Sequence, residues 1–122
     1  MGLSAFPAAL HAETPMSAEG FEAFFQGRTV AAYDEAGLYQ EETFLPGGKT
    51  ILRSLDRCRK GEWRVEGRLI CFTYENDPQS YCWGIYSRGS WAIAWPDDDR
   101  RYMPSVMKPS ESTFTCEGFL GT

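Results

Sequence analysis

Hydrophobic and polar residues alternate along most of the chain, in short segments separated by glycine-containing turns. Alternation with a period of two, in residues that are largely β-branched or aromatic, is typical of β-strands. The segments with this pattern are Arg28–Tyr33, Leu38–Leu45, Thr50–Leu55, Glu62–Glu66, Leu69–Glu75, Tyr81–Ser87 and Ser90–Trp95. Beyond Trp95 the pattern weakens, and Ser112–Phe119 is predicted as a last strand. No connection is long enough to hold a crossover helix, so the strands are predicted to pair in antiparallel order.

A segment with helical periodicity precedes the predicted strands. Ser17 has the side chain of a helix N-cap, Ala18, Phe21 and Phe25 follow at helical spacing, and Gly27 is a C-terminal stop. The sequence therefore predicts a mainly β fold, in which a short N-terminal helix packs on an antiparallel meander of about seven or eight strands. The meander is expected to curl into a lipocalin-like barrel or into a sandwich. A chain of 122 residues that is 15% aromatic is expected to form one folded domain, assigned to residues 13–122.

Four cysteines occur in the predicted domain, without the C-x-x-C spacing or the nearby histidine of a zinc site. If one hairpin turns at residues 76–77, Cys71 lies directly opposite Cys82, at a Cα separation that a disulfide accepts. Cys58 and Cys116 would then form the second bridge. Four cysteines allow three connectivities, and we favour this one over the others and over buried free thiols.

The N-terminal segment, residues 1–12, is apolar and rich in small side chains, and the polar Glu13 follows it. This pattern is typical of the end of a secretory signal peptide, although a basic start is absent. It predicts cleavage after Ala12 and a periplasmic or secreted location. The one histidine, His11, lies in the segment that cleavage would remove. A mature domain without imidazole disfavours Ser-His-Asp and Cys-His catalysis and histidine-ligated zinc.

The formal net charge of −5 argues against a nucleic-acid partner, because phosphate binding needs clustered lysine and arginine. The one basic run, at residues 57–60, is interpreted as a solvated turn in preference to an anion site. No stretch approaches the ~20 apolar residues of a membrane-spanning helix. No metal or cofactor is predicted, and no oligomeric state is assigned.

Aromatic side chains are the main candidates for a binding site. The predicted ligand-binding residues are Trp63, Trp83, Tyr86, Trp91 and Trp95. The alternation is interpreted as placing Ile70 and Trp83 on one face of the hairpins, with Phe72 and Tyr81 on the opposite face. Aromatic residues on both faces indicate either core packing, which is the default, or a small apolar ligand pocket at the mouth of a barrel.

Two groups of acidic residues are weaker candidates. The run Asp97–Asp99, which precedes two arginines, lacks the spaced oxygen ligands of a calcium loop and is interpreted as a solvated loop with local charge pairing. Glu35, Glu41 and Glu42 could supply the paired carboxylates of a hydrolase, but nothing in the sequence places two of them across a cleft.

One part of the chain resembles known proteins. The stretch from Gly61 to Cys71, followed by Cys82-Trp-Gly-Ile-Tyr86, has the pattern G-x-W-x-V…C…C, and F-x-G-x-T stands upstream at residues 25–29. This pattern resembles small exported bacterial β domains of uncharacterised families. The resemblance implies a periplasmic β domain with a hairpin disulfide, and it carries over no activity and no catalytic residues.

The predicted function is a periplasmic or secreted binding or interaction module, whose partner is a small apolar molecule or a protein. Two alternatives stay open, a histidine-free hydrolase that uses carboxylates and a purely structural protein of the cell envelope. The aromatic content and the lack of histidine favour binding over catalysis. A barrel interior filled completely by side chains would contradict the binding hypothesis.

Overall fold

The predicted N-terminal helix is present. In the computed structural model, which describes residues 13–54, 57–110 and 116, the helix is α1 (Ala18–Phe25). Ser17 is its N-cap, and the Ser17 Oγ accepts a hydrogen bond from the Gly20 N–H at 3.1 Å. The chain leaves the helix through Gly27, whose φ of 79° is a conformation that L side chains disfavour. The sequence signals for the beginning and the end of this helix are therefore confirmed.

Eight antiparallel strands form a closed barrel, in which each strand pairs with the next and the last pairs with the first. The strands are β1 (Thr29–Asp34), β2 (Gly37–Leu45), β3 (Lys49–Ser54), β4 (Arg57–Glu66), β5 (Leu69–Tyr74), β6 (Ser80–Arg88), β7 (Trp91–Pro96) and β8 (Ser105–Ser110). The prediction of a mainly β fold with a helix and an antiparallel meander is confirmed, and the meander is a barrel rather than a sandwich. No helix within the described ranges is long and apolar enough to cross a membrane.

Two strand predictions differ from the structure. β4 begins at Arg57 rather than at Glu62, so the basic run at residues 57–60 is part of a strand and not a turn. β8 occupies Ser105–Ser110, where two nearby prolines had weakened the signal. Pro109 lies close to the end of that strand, so the residues before it keep their N–H donors for pairing. The predicted strand Ser112–Phe119 lies outside the described residues except for Cys116, and so does the predicted signal remnant at residues 1–12.

Alternation along the strands decides which side chains enter the barrel. Ile70 and Phe72 are two residues apart on β5 and share the inner face. Pairing sets Ile70 opposite Trp83 and Phe72 opposite Tyr81. The prediction that Phe72 and Tyr81 lie on the face opposite Ile70 and Trp83 is therefore wrong, because a period of two keeps all four on one face.

The helix closes one end of the barrel. Phe21 and Phe25 of α1 are completely buried, and they insert among the inward-facing side chains of the strands. The Phe21 ring centroid lies 5.4 Å from that of Phe44 on β2 and 4.8 Å from that of Trp63 on β4. The rings of Phe21, Phe25, Phe44 and Trp63 form an aromatic plug that fills the half of the barrel nearest α1. Other side chains line the other half.

Two disulfides lie on the outer face of the barrel. Cys71 and Cys82 are directly opposite each other on β5 and β6, with their Cα atoms 3.9 Å apart, and they are bonded. Cys58 on β4 is bonded to Cys116, with a Cα separation of 5.8 Å. Both predicted bridges are confirmed.

Candidate ligand-binding cavity

The half of the barrel away from α1 contains a cavity of about 550 Å³. Small side chains on three neighbouring strands leave this space open, namely Ala32 on β1, Ala94 on β7 and Ser105 on β8. Pairing sets Ala94 opposite Ser105 and Ala32 opposite Met107, so the small residues form one continuous part of the wall. A cavity of this size accommodates a small organic ligand, since ligand pockets commonly measure ~300–1,000 Å³.

Larger apolar side chains form the rest of the wall. Phe72 on β5 and Trp83 and Ile85 on β6 line the cavity, together with Leu52 on β3. Phe72 also contacts the aromatic plug, because its ring centroid lies 6.0 Å from that of Phe21. The plug is thus the floor of the cavity.

One carboxyl group is buried in the wall of this cavity. Glu42 on β2 is only 5% exposed, and it lines the cavity. The Tyr74 Oη on β5 donates a hydrogen bond to the Glu42 Oε2 at 2.7 Å. To reach Glu42 on β2, the Tyr74 ring passes β4 and β3, and it crosses β4 over Gly61, its partner in the β4–β5 register. A Cβ at position 61 would lie 2.5 Å from the Tyr74 Cδ1, so only glycine permits this crossing.

Burial shifts the acidity of this carboxyl. Loss of hydration raises the Glu42 pKa to about 7, although the hydrogen bonds from Tyr74 and from the nearby Thr50 hydroxyl act in the opposite direction. Burial, followed by the charge of Glu42, raises the pKa of Tyr74, which therefore stays a hydrogen-bond donor. The Thr50 Oγ1 is itself buried and makes no hydrogen bond of full geometry to any described residue. The hydrogen-bonding capacity of the Thr50 hydroxyl is thus only partly used within the described part of the protein.

No cationic side chain among the described residues forms an ion pair with Glu42. A buried carboxylate without a counter-ion is costly, and the raised pKa of Glu42 reflects that cost. The carboxyl is therefore poised between its neutral and charged forms near pH 7.

The mouth of the cavity carries the basic residues of β4. Alternation directs Arg57 and Arg59 inward, and both line the cavity. The Arg59 Nη1 lies 3.4 Å from the Asp77 Oδ2, and the Tyr81 Oη donates a hydrogen bond to the same oxygen at 2.8 Å. The backbone N–H of Gln79 and the Tyr81 hydroxyl lower the pKa of Asp77, which holds the negative charge opposite Arg59. The mouth is thus an ordered polar rim, and the prediction of a simple solvated turn at residues 57–60 is wrong.

A second polar contact belongs to the same rim. Tyr39 on β2 and Ser105 on β8 share a hydrogen bond of 2.6 Å between their hydroxyl oxygens. Burial is the largest cause that raises the pKa of Tyr39. This contact links two strands that are not neighbours, across the strand β1 that lies between them.

Of the five aromatic residues predicted to bind a ligand, Trp83 lines the cavity. Trp63 is inward but packs on Phe21 and belongs to the plug. Trp91 borders a shallow depression on another part of the barrel, together with Val106 and Lys108. The structure therefore separates these residues instead of gathering them at one place.

Tyr86 and Trp95, the remaining two, take part in a cluster on the outer face. The Arg100 guanidinium lies 4.9 Å from the Tyr86 ring centroid and 4.6 Å from that of Trp95. The Tyr86 Oη donates a hydrogen bond to the Asp98 Oδ1 at 2.8 Å, and Arg100 contacts the same oxygen at 2.8 Å. Gly84 leaves room for the Asp98 side chain. These contacts fasten the loop after β7 to the barrel wall.

The structure also shows where the acidic residues considered in the sequence analysis lie. Asp98 pairs with Arg100, and Asp99 pairs with Arg101 at 2.7 Å, so the predicted local charge pairing is confirmed. Glu41 and Glu42 are adjacent on β2 and face opposite sides of the sheet. Glu35 is exposed in the turn between β1 and β2. These three glutamates therefore do not come together across a cleft.

Sulfur and carboxylate groups approach one another at a single described cluster, formed by Glu66, Cys71 and Cys82. The two sulfurs are bonded to each other in a disulfide, so they are not thiolate ligands for a metal ion.

Sequence reasoning missed the residues that give the cavity its chemistry. Glu42 lies in phase with Phe44 along β2, and this shared phase is the signal that it faces inward. Tyr74 has the same signal, because it lies in phase with Ile70 and Phe72 along β5, whereas the charge of Arg59 hides its inward position from a pattern of hydrophobicity.

Comparison of the chain with protein-family models, with curated proteins and with solved structures finds no match. The resemblance to small exported β domains therefore stays a prediction.

Proposed function

We propose that this protein is a periplasmic or secreted binding module that holds one small molecule inside its barrel. The observation that carries the proposal is the cavity of about 550 Å³, which has an apolar wall on one side and polar or charged side chains around Glu42 and at the mouth. This combination is characteristic of small-molecule sites, in which apolar surface supplies affinity and a few polar atoms fix orientation.

The width of the barrel alone does not explain the cavity. Eight strands enclose an interior that side chains can fill, or that can hold one small ligand. The half near α1 is filled by Phe21, Phe25 and Phe44, whereas Ala94 and Ser105 leave the other half open. Side-chain size at the inward positions therefore creates the space.

The two disulfides support the proposed location. Disulfides persist in oxidising compartments such as the periplasm and the cell exterior, and they are rare in the cytosol. The separation of 58 residues between Cys58 and Cys116 means that this bridge closes a long loop and stabilises the barrel accordingly.

Binding is favoured over hydrolysis because the glutamates Glu35, Glu41 and Glu42 do not converge. Glu42 alone lies in the cavity, and Asp77 at the rim is engaged by Arg59 and Tyr81. The geometry thus supports a polar anchor for a ligand better than a pair of catalytic carboxylates.

The test is a titration of the oxidised protein with the neutral apolar dye N-phenyl-naphthylamine, followed by dye fluorescence and by isothermal calorimetry. We expect saturable binding of one dye molecule per chain. Ala94→Phe should fill the cavity and weaken binding at least tenfold, whereas Ala36→Phe, in an exposed turn, should leave it unchanged. Ala32→Phe provides a second cavity-filling variant if Ala94→Phe does not fold. Equal binding by a folded cavity-filling variant and the wild type would refute the proposal.

A further inference from the structure

One buried polar group of the cavity is an acid without a basic partner among the described residues. Glu42 is 5% exposed, lines the cavity, and accepts one hydrogen bond from Tyr74. No described cationic residue pairs with it. The nearest inward-facing arginine in the register, Arg59 on β4, is held by Asp77 at the rim. The protein thus pairs Arg59 at the mouth with a carboxylate, and leaves the Glu42 carboxyl inside the cavity without a cation among the described side chains.

A ligand that carries a positive charge would complete this arrangement. A buried ion is stable when it is paired and hydrogen-bonded, and a ligand ammonium group offers both the charge and three donors. Aromatic rings also line the site, and an ammonium group near the face of a ring gains a further electrostatic attraction. Tyr74 and Trp83 are the rings that line the cavity on β5 and β6.

We propose that the ligand of this cavity is an amine with an apolar body, whose ammonium group pairs with the Glu42 carboxylate while the body lies against Phe72, Trp83 and Ile85. This inference rests on the proposed function, because it names the class of molecule that the cavity holds. The order of groups along the cavity sets the orientation: the charged end of the ligand enters toward Glu42, and its apolar body contacts the wall.

The matched test uses three ligands with one apolar body and different end groups: phenylbutylamine, phenylbutanol and phenylbutanoate. Each is titrated against the protein saturated with N-phenyl-naphthylamine, and displacement of the dye gives its affinity. At pH 8 we expect the amine to bind about tenfold or more tightly than the alcohol, since a charge-assisted hydrogen bond exceeds a neutral one. The carboxylate should bind most weakly, because its charge would oppose that of Glu42.

Two variants test whether Glu42 is the source of the preference for the amine. Glu42→Gln keeps the shape and the hydrogen-bond acceptor for Tyr74, and it should reduce the preference for the amine over the alcohol to less than threefold. Glu41→Gln changes the neighbouring glutamate, which faces the outside of the barrel near Arg53, and it should keep the full preference. Glu41→Gln should also leave binding of the neutral dye unchanged, and the preference shown by Glu42→Gln is measured as the ratio of amine to alcohol affinity within that variant.

A pH series gives an independent readout. The other titratable and charged groups that line the cavity around Glu42 are Tyr39, Arg57, Arg59, Tyr74, Asp77 and Tyr81. Tyrosine and arginine do not titrate between pH 5.5 and 8 at their ordinary pKa values, and neither does an aspartate of lowered pKa. The preference for the amine should therefore fall toward pH 5.5 as Glu42 gains its proton, and Glu42→Gln should remove this dependence.

The outcomes separate the two proposals. If the dye does not bind, the binding function itself is refuted. If the dye binds but the amine and the alcohol displace it equally at pH 8, the binding function stands and the amine inference is overturned. Tighter binding of phenylbutanoate would also overturn it, and would assign the polar contact to Arg57 and Arg59 at the mouth.

Discussion

Replacing Glu42 by glutamine removes a buried group that titrates near neutral pH, and the effect on stability should depend strongly on pH. In the folded protein the Glu42 pKa is raised from 4.5 to about 7 by burial. The folded state therefore holds the proton more tightly than the unfolded state does. The stability associated with this group is fully present below pH 4.5, falls as the pH rises toward 7, and stays low above that value.

The magnitude follows from the same shift. A change of one in a pKa corresponds to ~1.36 kcal/mol, so ionising Glu42 costs about 3 kcal/mol more in the folded than in the unfolded protein. Glutamine resembles the protonated acid in shape and can accept the hydrogen bond from Tyr74. Glu42→Gln should therefore match the wild type near pH 4.5 and be about 3 kcal/mol more stable at pH 8.

The measurement is urea unfolding of the oxidised proteins at several pH values from 4.5 to 8, followed by tryptophan fluorescence. With a slope of ~1.5 kcal/mol per molar urea, the midpoint of the variant should exceed that of the wild type by about 2 M at pH 8. Groups common to both proteins cancel in the difference, and Glu41→Gln serves as the control for loss of one glutamate. Parallel curves for the wild type and Glu42→Gln across this range would refute the argument.

Three further substitutions test other parts of the barrel. Gly61→Ala should lower the free energy of unfolding by ~1–3 kcal/mol and weaken dye binding, because the added Cβ would collide with the Tyr74 ring; unchanged urea midpoint and affinity would contradict this. Phe21→Ala should lower the free energy of unfolding by ~3–5 kcal/mol, because it leaves a cavity in the plug. Thermal unfolding measures this, and a decrease below ~1 kcal/mol would show that the helix is not required. Replacing both Cys58 and Cys116 by alanine should cost ~4 kcal/mol in urea unfolding, more than loss of the bridge with the shorter separation of 11 residues, and the reverse order would contradict the chain-entropy argument.

The fold was largely predictable from the sequence because local signals agree with one another. The Ser17 cap and the turn at Gly27 bound the helix, and a period of two with glycine turns marks most of the strands. β8 was missed because Pro109 suggested a loop, although its position close to the strand end leaves most of the ladder intact. The start of β4 was missed because charged residues at 57–60 are ordinarily typical of solvated turns.

The candidate site was predicted less well, for a related physical reason. At the mouth of a barrel, inward-facing residues meet a polar, solvent-accessible space, so hydrophobicity no longer identifies the inner face. Arg59 and Asp77 therefore resembled surface residues. Of the five aromatic residues named from the sequence, Trp83 alone lines the cavity, because a tryptophan such as Trp63 is equally suited to a core. Which role each ring has depends on its distance from α1, and that distance is set by tertiary register.

The solvent-accessible apolar wall and the unpaired carboxyl are two separate costs to the folded protein, and one kind of ligand would relieve both. An apolar body would occupy the space that Ala94 and Ser105 leave and would bury the partly exposed side chains of Leu52 and Trp83. An ammonium end would supply the charge that Glu42 lacks, and would restore its pKa toward the ordinary range. A purely apolar ligand would relieve the first cost and increase the second, since it would exclude water from the carboxyl. The placement of Glu42 within the apolar wall therefore favours a ligand with both parts.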